Sequence, residues 1–290
     1  MSAQPEAKAE ADAEPAKPDE ARPLSEEEEK ILEGVKSYLE EKDFGEVSNI
    51  MLIKFVRGYY HETPRLEKTC EILEKALIFR RDNHIDDLLE RKGEAAAEFS
   101  KTCWPYHVHG RDRLGHPVYY EQTGKVDVNR LLKDYTLDLV KEYHLCMMET
   151  MDRLKAQISE ETNNRTYKHI VVLDLEGFGF SHCSKTFYSQ TKSLIDIDQF
   201  FYPESLVRLY IINAPFVFRA LWAVVKIWVD PLTRARVFVL KGSAFLAEMK
   251  KWVDDDQIPT YYGGDCKIVD CPCREGSFED IDRINKEKKT

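Results

Sequence analysis

The sequence predicts an α/β protein in which an all-helical N-terminal lobe precedes a mostly parallel sheet flanked by helices. Apolar residues recur at helical spacing through residues 24–100. The continuous β-branched run HIVVLDL at residues 169–175 is typical of a strand that is covered on both faces. After residue 101, strand patterns alternate with helical ones, which favours a parallel sheet. With 290 residues, 43% of them hydrophobic, the chain can bury a sizeable core.

Composition limits the function classes. A net charge of -10 argues against a partner bound through nucleic-acid phosphates, because that binding needs a basic surface. We see no signal-peptide pattern and no apolar run of transmembrane length, so we expect a cytoplasmic protein. The seven cysteines are expected to be reduced thiols. Cys266, Cys271 and Cys273 have an unusual spacing for zinc, and we expect no metal.

The start of the helical lobe is predicted from a change of composition and from a helix-capping motif. Residues 1–23 are mainly Ala, Glu, Pro and Lys and are predicted to form a disordered acidic tail. Ser25 and Glu28 then have the spacing of a capping box, which predicts a helix that starts after Ser25. Further helices are predicted over residues 49–57 and 66–83.

The second domain is predicted to span residues 101–265, with a C-terminal extension at 266–290. Strands are expected over residues 117–121, 169–175, 206–213 and 236–240, and helices over 129–158, 185–197, 216–229 and 244–252. Gly110 and Gly115 have the spacing of a phosphate-binding loop, but His116 and Pro117 replace its Lys and Ser/Thr. We therefore expect a turn there.

The helix predicted over residues 216–229 is apolar on nearly every side. It is too short to cross a bilayer, which needs about 20 apolar residues. Such a helix is buried in the core, covers an apolar ligand or lies in a membrane interface. Its cations Arg219 and Lys226 are seven residues apart and therefore share one line. They are either simple solvated charges or groups that reach an anionic membrane surface.

Catalytic motifs are weak in this sequence. The G-x-S-x-G nucleophile elbow does not occur, and most histidines have no obvious serine or cysteine partner. We therefore predict no catalytic residues and no cofactor. An α/β enzyme that acts on a small apolar ester is the weaker alternative.

Four stretches, residues 52–82, 112–124, 171–180 and 202–240, resemble the CRAL-TRIO lipid-binding family, specifically the phosphatidylinositol/phosphatidylcholine transfer proteins of the secretory pathway. The resemblance implies a helical N-terminal module and an apolar pocket that holds one lipid and is closed by a movable gate helix. In this sequence the gate is the helix at residues 216–229. The gate and membrane-contact residues implied are Phe216, Phe218, Leu221, Trp222, Val225 and Trp228.

The same resemblance implies the head-group residues Glu204, Thr233, Arg236, Arg57 and Tyr119. Arg236 replaces the usual lysine and keeps a cation suited to phosphate.

Two parts of the family pattern differ. Tyr59 and Tyr60 stand where the inositol-transfer members carry a basic pair. The choline-phospholipid site is further changed, with His169 and Val171 on the central strand and His107 and Val108 replacing a tyrosine pair.

The implied function is that of a monomeric cytosolic carrier or sensor that extracts a single phospholipid, most readily phosphatidylinositol, from a membrane that it contacts transiently. It is expected on Golgi, ER or other internal membranes. A sterol, a retinoid or a tocopherol-like molecule remains an alternative ligand.

Overall fold

The computed structural model describes residues 19–266. Its α-helices are α1 Glu26–Glu40, α2 Asn49–Gly58, α3 Arg65–Asp82, α4 Leu88–Thr102, α5 Val128–Asp134, α6 Leu137–Thr162, α7 Lys185–Phe201, α8 Phe218–Trp228, α9 Pro231–Ala235 and α10 Gly242–Met249. Its strands are β1 Tyr106–Arg111, β2 Pro117–Glu121, β3 His169–Asp174, β4 Leu206–Ile212 and β5 Val237–Leu240.

Helices α1 to α3 form a small lobe with its own apolar core. Val35, Phe55 and Leu73 are almost fully buried in it. The predicted capping box starts α1: the Ser25 hydroxyl accepts from the Glu28 amide at 3.2 Å, and the Ser25 amide donates to the Glu28 carboxylate at 2.9 Å. These two bonds satisfy amides that an α-helix leaves unpaired at its start.

The strands of the described residues form one sheet in the order β1-β2-β3-β4-β5. Only β1 pairs antiparallel with its neighbour, and the other pairs are parallel. The predicted α/β class with a mostly parallel sheet is therefore confirmed. Because β3, β4 and β5 run in one direction, the residues at their starts lie along the same edge of the sheet.

The two faces of the sheet have different neighbours, since side chains alternate along each strand. One face is filled by α10 and the residues that follow it. The buried residues on this side are Val118, Tyr120, Ile170, Val172, Tyr210, Ile212, Phe245, Met249, Val253 and Ile258. The opposite face is turned towards α6, α7 and α8 and borders a cavity.

Several sequence predictions were wrong in detail. The long helix expected over residues 129–158 is two helices, because Tyr135 is extended and the Thr136 hydroxyl caps α6. Strand β1 and helices α4 and α9 were not predicted, and α8 is shorter than expected. Residues 110–116 form the expected turn between β1 and β2.

The predicted disordered tail lies mostly outside the described residues, and within them it is wrong. Asp19–Ala21 form a 3₁₀ turn, and Glu20 is buried. Its carboxylate accepts the amides of Tyr167 and Lys168 at 2.9 and 3.3 Å. Only Cys266 of the predicted C-terminal extension is described. None of the helices from residue 19 to 266 combines the length and apolar character that a membrane span requires.

Candidate lipid-binding cavity

A cavity of about 790 Å³ lies between the sheet and helices α6, α7 and α8. Its size falls within the range of about 300–1,000 Å³ that is usual for ligand pockets. The wall is mainly apolar and includes Met147, Met148, Val171, Leu173, Phe187, Leu194, Leu209, Ile211 and Val237. Such a surface favours a ligand with hydrocarbon chains, because each buried CH₂ contributes about 0.8 kcal/mol.

Helix α8 covers this cavity with one face and turns its other face outwards. Phe218 is only 7% exposed and packs edge-to-face on Phe178, with ring centroids 5.9 Å apart. Five of the six residues predicted for the gate line the cavity, namely Phe218, Leu221, Trp222, Val225 and Trp228. Phe216, the sixth, is 83% exposed at the outer side. In this closed arrangement Phe218 therefore faces the cavity, not the surroundings of the protein.

The carboxyl end of α8 is attached to α7 by one side chain, Gln199. Its amide nitrogen donates to the Trp228 carbonyl at 3.1 Å, and its amide oxygen accepts from the Asp230 amide at 2.7 Å. The Tyr59 hydroxyl donates to the Gln199 carbonyl at 3.2 Å. These bonds close the cavity beside α9. The sequence carries no recognisable signal for them, since the partners lie far apart along the chain.

Three predicted head-group residues, Glu204, Thr233 and Arg236, line one end of the cavity. The Glu204 carboxylate lies 2.7 Å from Lys168 Nζ and 3.7 Å from Arg236 Nη2. Arg236 Nη1 donates to the Leu206 carbonyl at 2.9 Å. The arginine is thus held at the starting edge of the sheet, where its other donors remain accessible.

The structure places Arg57 elsewhere. It is absent from the cavity wall in the described part of the chain. Its guanidinium is buried and donates to the carbonyls of Glu20 and Arg22 at 3.2 and 3.1 Å and to the Tyr167 hydroxyl at 2.9 Å. Its Nε lies 3.4 Å from the Glu28 carboxylate. The assignment of Arg57 to the head group therefore does not fit this geometry.

Tyr119 lines the cavity on β2, at the side of the sheet away from β5. Its hydroxyl donates to the Glu121 carboxylate at 3.0 Å, and Thr123 donates to the same group at 2.7 Å. Burial raises the pKa of Glu121. The alternation of β2 makes Tyr119 and Glu121 neighbours on one face, so the sequence contained a signal for this pair.

A second polar pair on the cavity wall, His144 and Asp198, joins α6 to α7. The imidazole Nε2 and the carboxylate are 2.7 Å apart. Burial lowers the pKa of His144, but Asp198 more than offsets this effect, so the pKa is raised. The two residues are 54 positions apart, which explains why sequence spacing did not reveal them. Within residues 19–266, no cluster of His, Cys, Asp and Glu suits a metal ion.

Comparisons with known proteins agree with this architecture. The CRAL/TRIO domain family matches residues 101–264. The phosphatidylinositol/phosphatidylcholine transfer protein SFH7 of Arabidopsis thaliana is 30% identical over 76% of this chain and 40% of its own length. The Arabidopsis protein SFH11, described in the same words, is 33% identical over 71% of this chain and 54% of its own length. This chain thus spans about half of those relatives or less.

A crystal structure of Sfh5 superposes with a TM-score of 0.65, covering 92% of this chain and 99% of that one. Because the two sequences are 18% identical, this likeness concerns the fold alone. The family match extends over more than half of the chain and includes the sheet and the helix that closes the cavity. The chain belongs to the CRAL/TRIO domain family.

Proposed function

We propose that this protein binds a single phospholipid, most readily phosphatidylinositol, and carries or presents it between membranes without covalent chemistry. The observation that carries this proposal is the apolar cavity covered by the inner face of α8. Apolar walls supply most of the affinity for acyl chains, and a few polar groups select the head group. The printed descriptions of the two Arabidopsis relatives support the same class of ligand.

The head group is proposed to lie at Glu204, Thr233 and Arg236. Arg236 is the cation that pairs with the lipid phosphate, and a fork of N–H donors suits phosphate oxygens. Glu204 is held between Lys168 and Arg236 and orients the arginine. The Thr233 side chain lines the same end and offers a hydroxyl to the inositol ring.

Exchange requires α8 to move away from the sheet. Residues 213–215 and 230–231 at its two ends are the proposed hinges. Phe216, which precedes α8, and Ile227, near the end of α8, are both exposed, and the helix also carries the cations Arg219 and Lys226. An apolar surface interrupted by cations suits transient contact with an anionic membrane. We place this contact on internal membranes that a cytosolic monomer reaches.

The test is native mass spectrometry of the purified full chain, followed by a vesicle transfer assay. We expect one phospholipid per protein and protein-dependent transfer of phosphatidylinositol. A protein that is folded, empty and inactive in transfer of every phospholipid would contradict the proposal. A sterol or retinoid in the spectrum would replace the phospholipid assignment and leave the cavity assignment intact.

The membrane contact has its own test. Phe216→Ser should weaken binding to anionic vesicles by about tenfold, because burying a Phe side chain contributes about 1.5–3 kcal/mol. Leu132→Ser, at an exposed apolar position on α5, is the matched control. Equal vesicle binding by the two variants in a flotation assay would contradict this role for α8.

A further inference from the structure

Phe180 is a large apolar side chain that the fold leaves in solvent. It begins the 3₁₀ turn Phe180–Cys183, which follows β3, and it is 86% exposed. Phe216, in the segment that follows β4, is 83% exposed. Among the large apolar side chains of residues 19–266, these two have the greatest exposed fractions. Exposed apolar groups that lie together mark an interaction surface, so the relative position of the two rings matters.

The two exposed phenylalanines lie at the same edge of the sheet. Strands β3 and β4 are parallel neighbours, so the segments that follow them leave the sheet side by side. Phe178, two residues before Phe180, contacts Phe218, two residues after Phe216, with ring centroids 5.9 Å apart. Phe178 and Phe218 are buried, whereas Phe180 and Phe216 point into solvent. The two exposed rings therefore belong to one surface, at the end of the sheet where α8 begins.

The turn that presents Phe180 is attached to the body of the domain through His182. The buried imidazole accepts a hydrogen bond from the Gly179 amide at 3.1 Å and stacks on the Phe178 ring, with centroids 4.6 Å apart. It also packs edge-to-face on Phe187 of α7, with centroids 5.7 Å apart. None of these contacts involves α8. Phe180 therefore keeps its position when α8 moves, whereas Phe216 lies at the proposed hinge of that helix.

Cations flank this surface, although the net charge of the chain is -10. Lys185 begins α7 just after the turn, and the Arg219 guanidinium lies 5.3 Å from the centroid of the Phe216 ring. Both cations are exposed, and neither pairs with a carboxylate in the part of the chain that the structure describes. The exposed carboxylate of the loop after β3, Glu176, accepts a hydrogen bond from the Tyr261 hydroxyl at 3.2 Å. Unpaired cations beside apolar side chains suit a surface of anionic head groups above acyl chains.

We propose that Phe180 is a fixed membrane anchor, which inserts into an anionic bilayer beside Phe216 and holds the protein there while α8 opens. This inference rests on the proposed lipid-binding function and adds a docking site outside the gate helix. A bilayer fits this surface better than a protein does. A specific protein interface buries about 800 Å² per partner, whereas two protruding rings flanked by cations match the boundary between head groups and acyl chains.

The first experiment is flotation of the full chain with phosphatidylcholine vesicles that contain or lack phosphatidylserine. Phe180→Ser should weaken binding to the vesicles with phosphatidylserine about tenfold, because the variant has no apolar side chain to bury there. Phe180→Leu keeps an apolar side chain and should retain most of the binding, and Leu132→Ser on α5 is the control. The Kd of Phe180→Ser for a water-soluble short-chain phosphatidylinositol should stay unchanged, since Phe180 is not part of the cavity wall among the described residues.

Two further variants report on depth and charge. Phe180→Trp should be quenched by vesicles with brominated acyl chains more strongly than the wild-type protein, whose four tryptophans supply the background. Lys185→Ala should weaken binding to the vesicles with phosphatidylserine about fivefold, because a cation near an anionic surface contributes about 1 kcal/mol. Lys36→Ala, at an exposed position on α1, is the matched control for the loss of one positive charge.

Unchanged vesicle binding by Phe180→Ser, or no additional quenching of Phe180→Trp, overturns this inference and leaves the proposed function standing. Both results are expected if the surface serves a protein instead of a membrane. Equal losses of vesicle binding and of short-chain lipid affinity in Phe180→Ser also overturn it, since the variant then damages the cavity. A wild-type protein that binds neither the short-chain phosphatidylinositol nor any other phospholipid contradicts the proposed function itself.

Discussion

Arg57 and Arg236 carry the same side chain and stand in opposite surroundings. The Arg57 side chain is 4% exposed, whereas that of Arg236 is 30% exposed at the cavity end. The Arg57 guanidinium donates hydrogen bonds to two backbone carbonyls and a tyrosine hydroxyl. Arg236 makes one carbonyl hydrogen bond and has a carboxylate at 3.7 Å. An arginine can bind a phosphate only with donors that the protein has not already used.

Arg57 and its four partners, Glu20, Arg22, Glu28 and Tyr167, form a cluster that we call the clasp. It joins three parts of the chain, because Arg57 lies in the last turn of α2, Glu20 precedes α1 and Tyr167 precedes β3. The buried Glu20 carboxylate binds the backbone just before β3. The clasp therefore ties the helical lobe to the edge of the sheet, beside the proposed head-group end.

The largest expected effect comes from breaking the clasp. Arg57→Ala should lower the free energy of unfolding by about 3–5 kcal/mol, because it leaves buried carboxylate and carbonyl oxygens without their cation. Urea denaturation measures this loss. Arg236→Ala is the matched control and should change stability by no more than about 1 kcal/mol. A fully stable Arg57→Ala variant that loses phosphatidylinositol would return Arg57 to the head group.

The second-largest expected effect is a pH dependence of the free energy of unfolding, caused by His116 next to the clasp. His116 Nδ1 lies 2.7 Å from Asp112 and its Nε2 3.3 Å from Glu20, and its pKa is raised to about 9. In the unfolded chain the pKa is about 6.5, so the folded state holds the proton more tightly. The resulting stability is complete below pH 6.5 and is lost as the pH rises through 9.

This contribution is of order 3 kcal/mol and is measured as the difference between the wild-type protein and His116→Gln. The difference should shrink between pH 6.5 and about 9.5, as followed by urea denaturation at each pH. Other titrating groups, including His144, affect both proteins and cancel in the comparison. A constant difference across that range would show that His116 is not charged in the folded protein.

The third effect concerns affinity instead of stability. Arg236→Ala should raise the Kd for phosphatidylinositol by about tenfold or more, because a charged hydrogen bond to phosphate contributes about 1.5–3 kcal/mol. The affinity for diacylglycerol of the same chains should stay the same, since it lacks the phosphate. Displacement of a fluorescent lipid measures both. A parallel loss for both lipids would mean that the variant damages the cavity rather than the phosphate contact.

The two arginines also show what the sequence can predict. Helical spacing located α2 and therefore placed Arg57 near the end of that helix. It did not reveal the direction of the side chain, because Glu20 and Tyr167 are 37 and 110 positions away. Arg236 was assigned together with Glu204 and Thr233 by resemblance to the CRAL-TRIO family, and all three residues line the cavity. Local patterns predict elements, whereas distant partners decide what a charged side chain contacts.

Helix α8 illustrates the same limit. Its apolar composition left three alternatives open, and in the structure one face of the helix covers the cavity whereas the other is exposed. The sequence did not show which face is turned inwards, because almost every position is apolar. That choice depends on contacts such as Phe218 with Phe178 and Gln199 with Trp228.

The smallest effect is expected at Gln199, which attaches α8 next to the Arg236 end of the cavity. Gln199→Ala removes the hydrogen bonds to the Trp228 carbonyl and the Asp230 amide. Each is worth about 0.5–1.5 kcal/mol, so lipid release in a stopped-flow transfer assay should accelerate about fivefold, with little change in head-group preference. Gln190→Ala, at a buried position earlier on α7, is the control for loss of an amide side chain. Faster release from both variants alike would indicate a loosened α7. Faster release from Gln199→Ala alone would show that this amide holds α8 closed over the cavity.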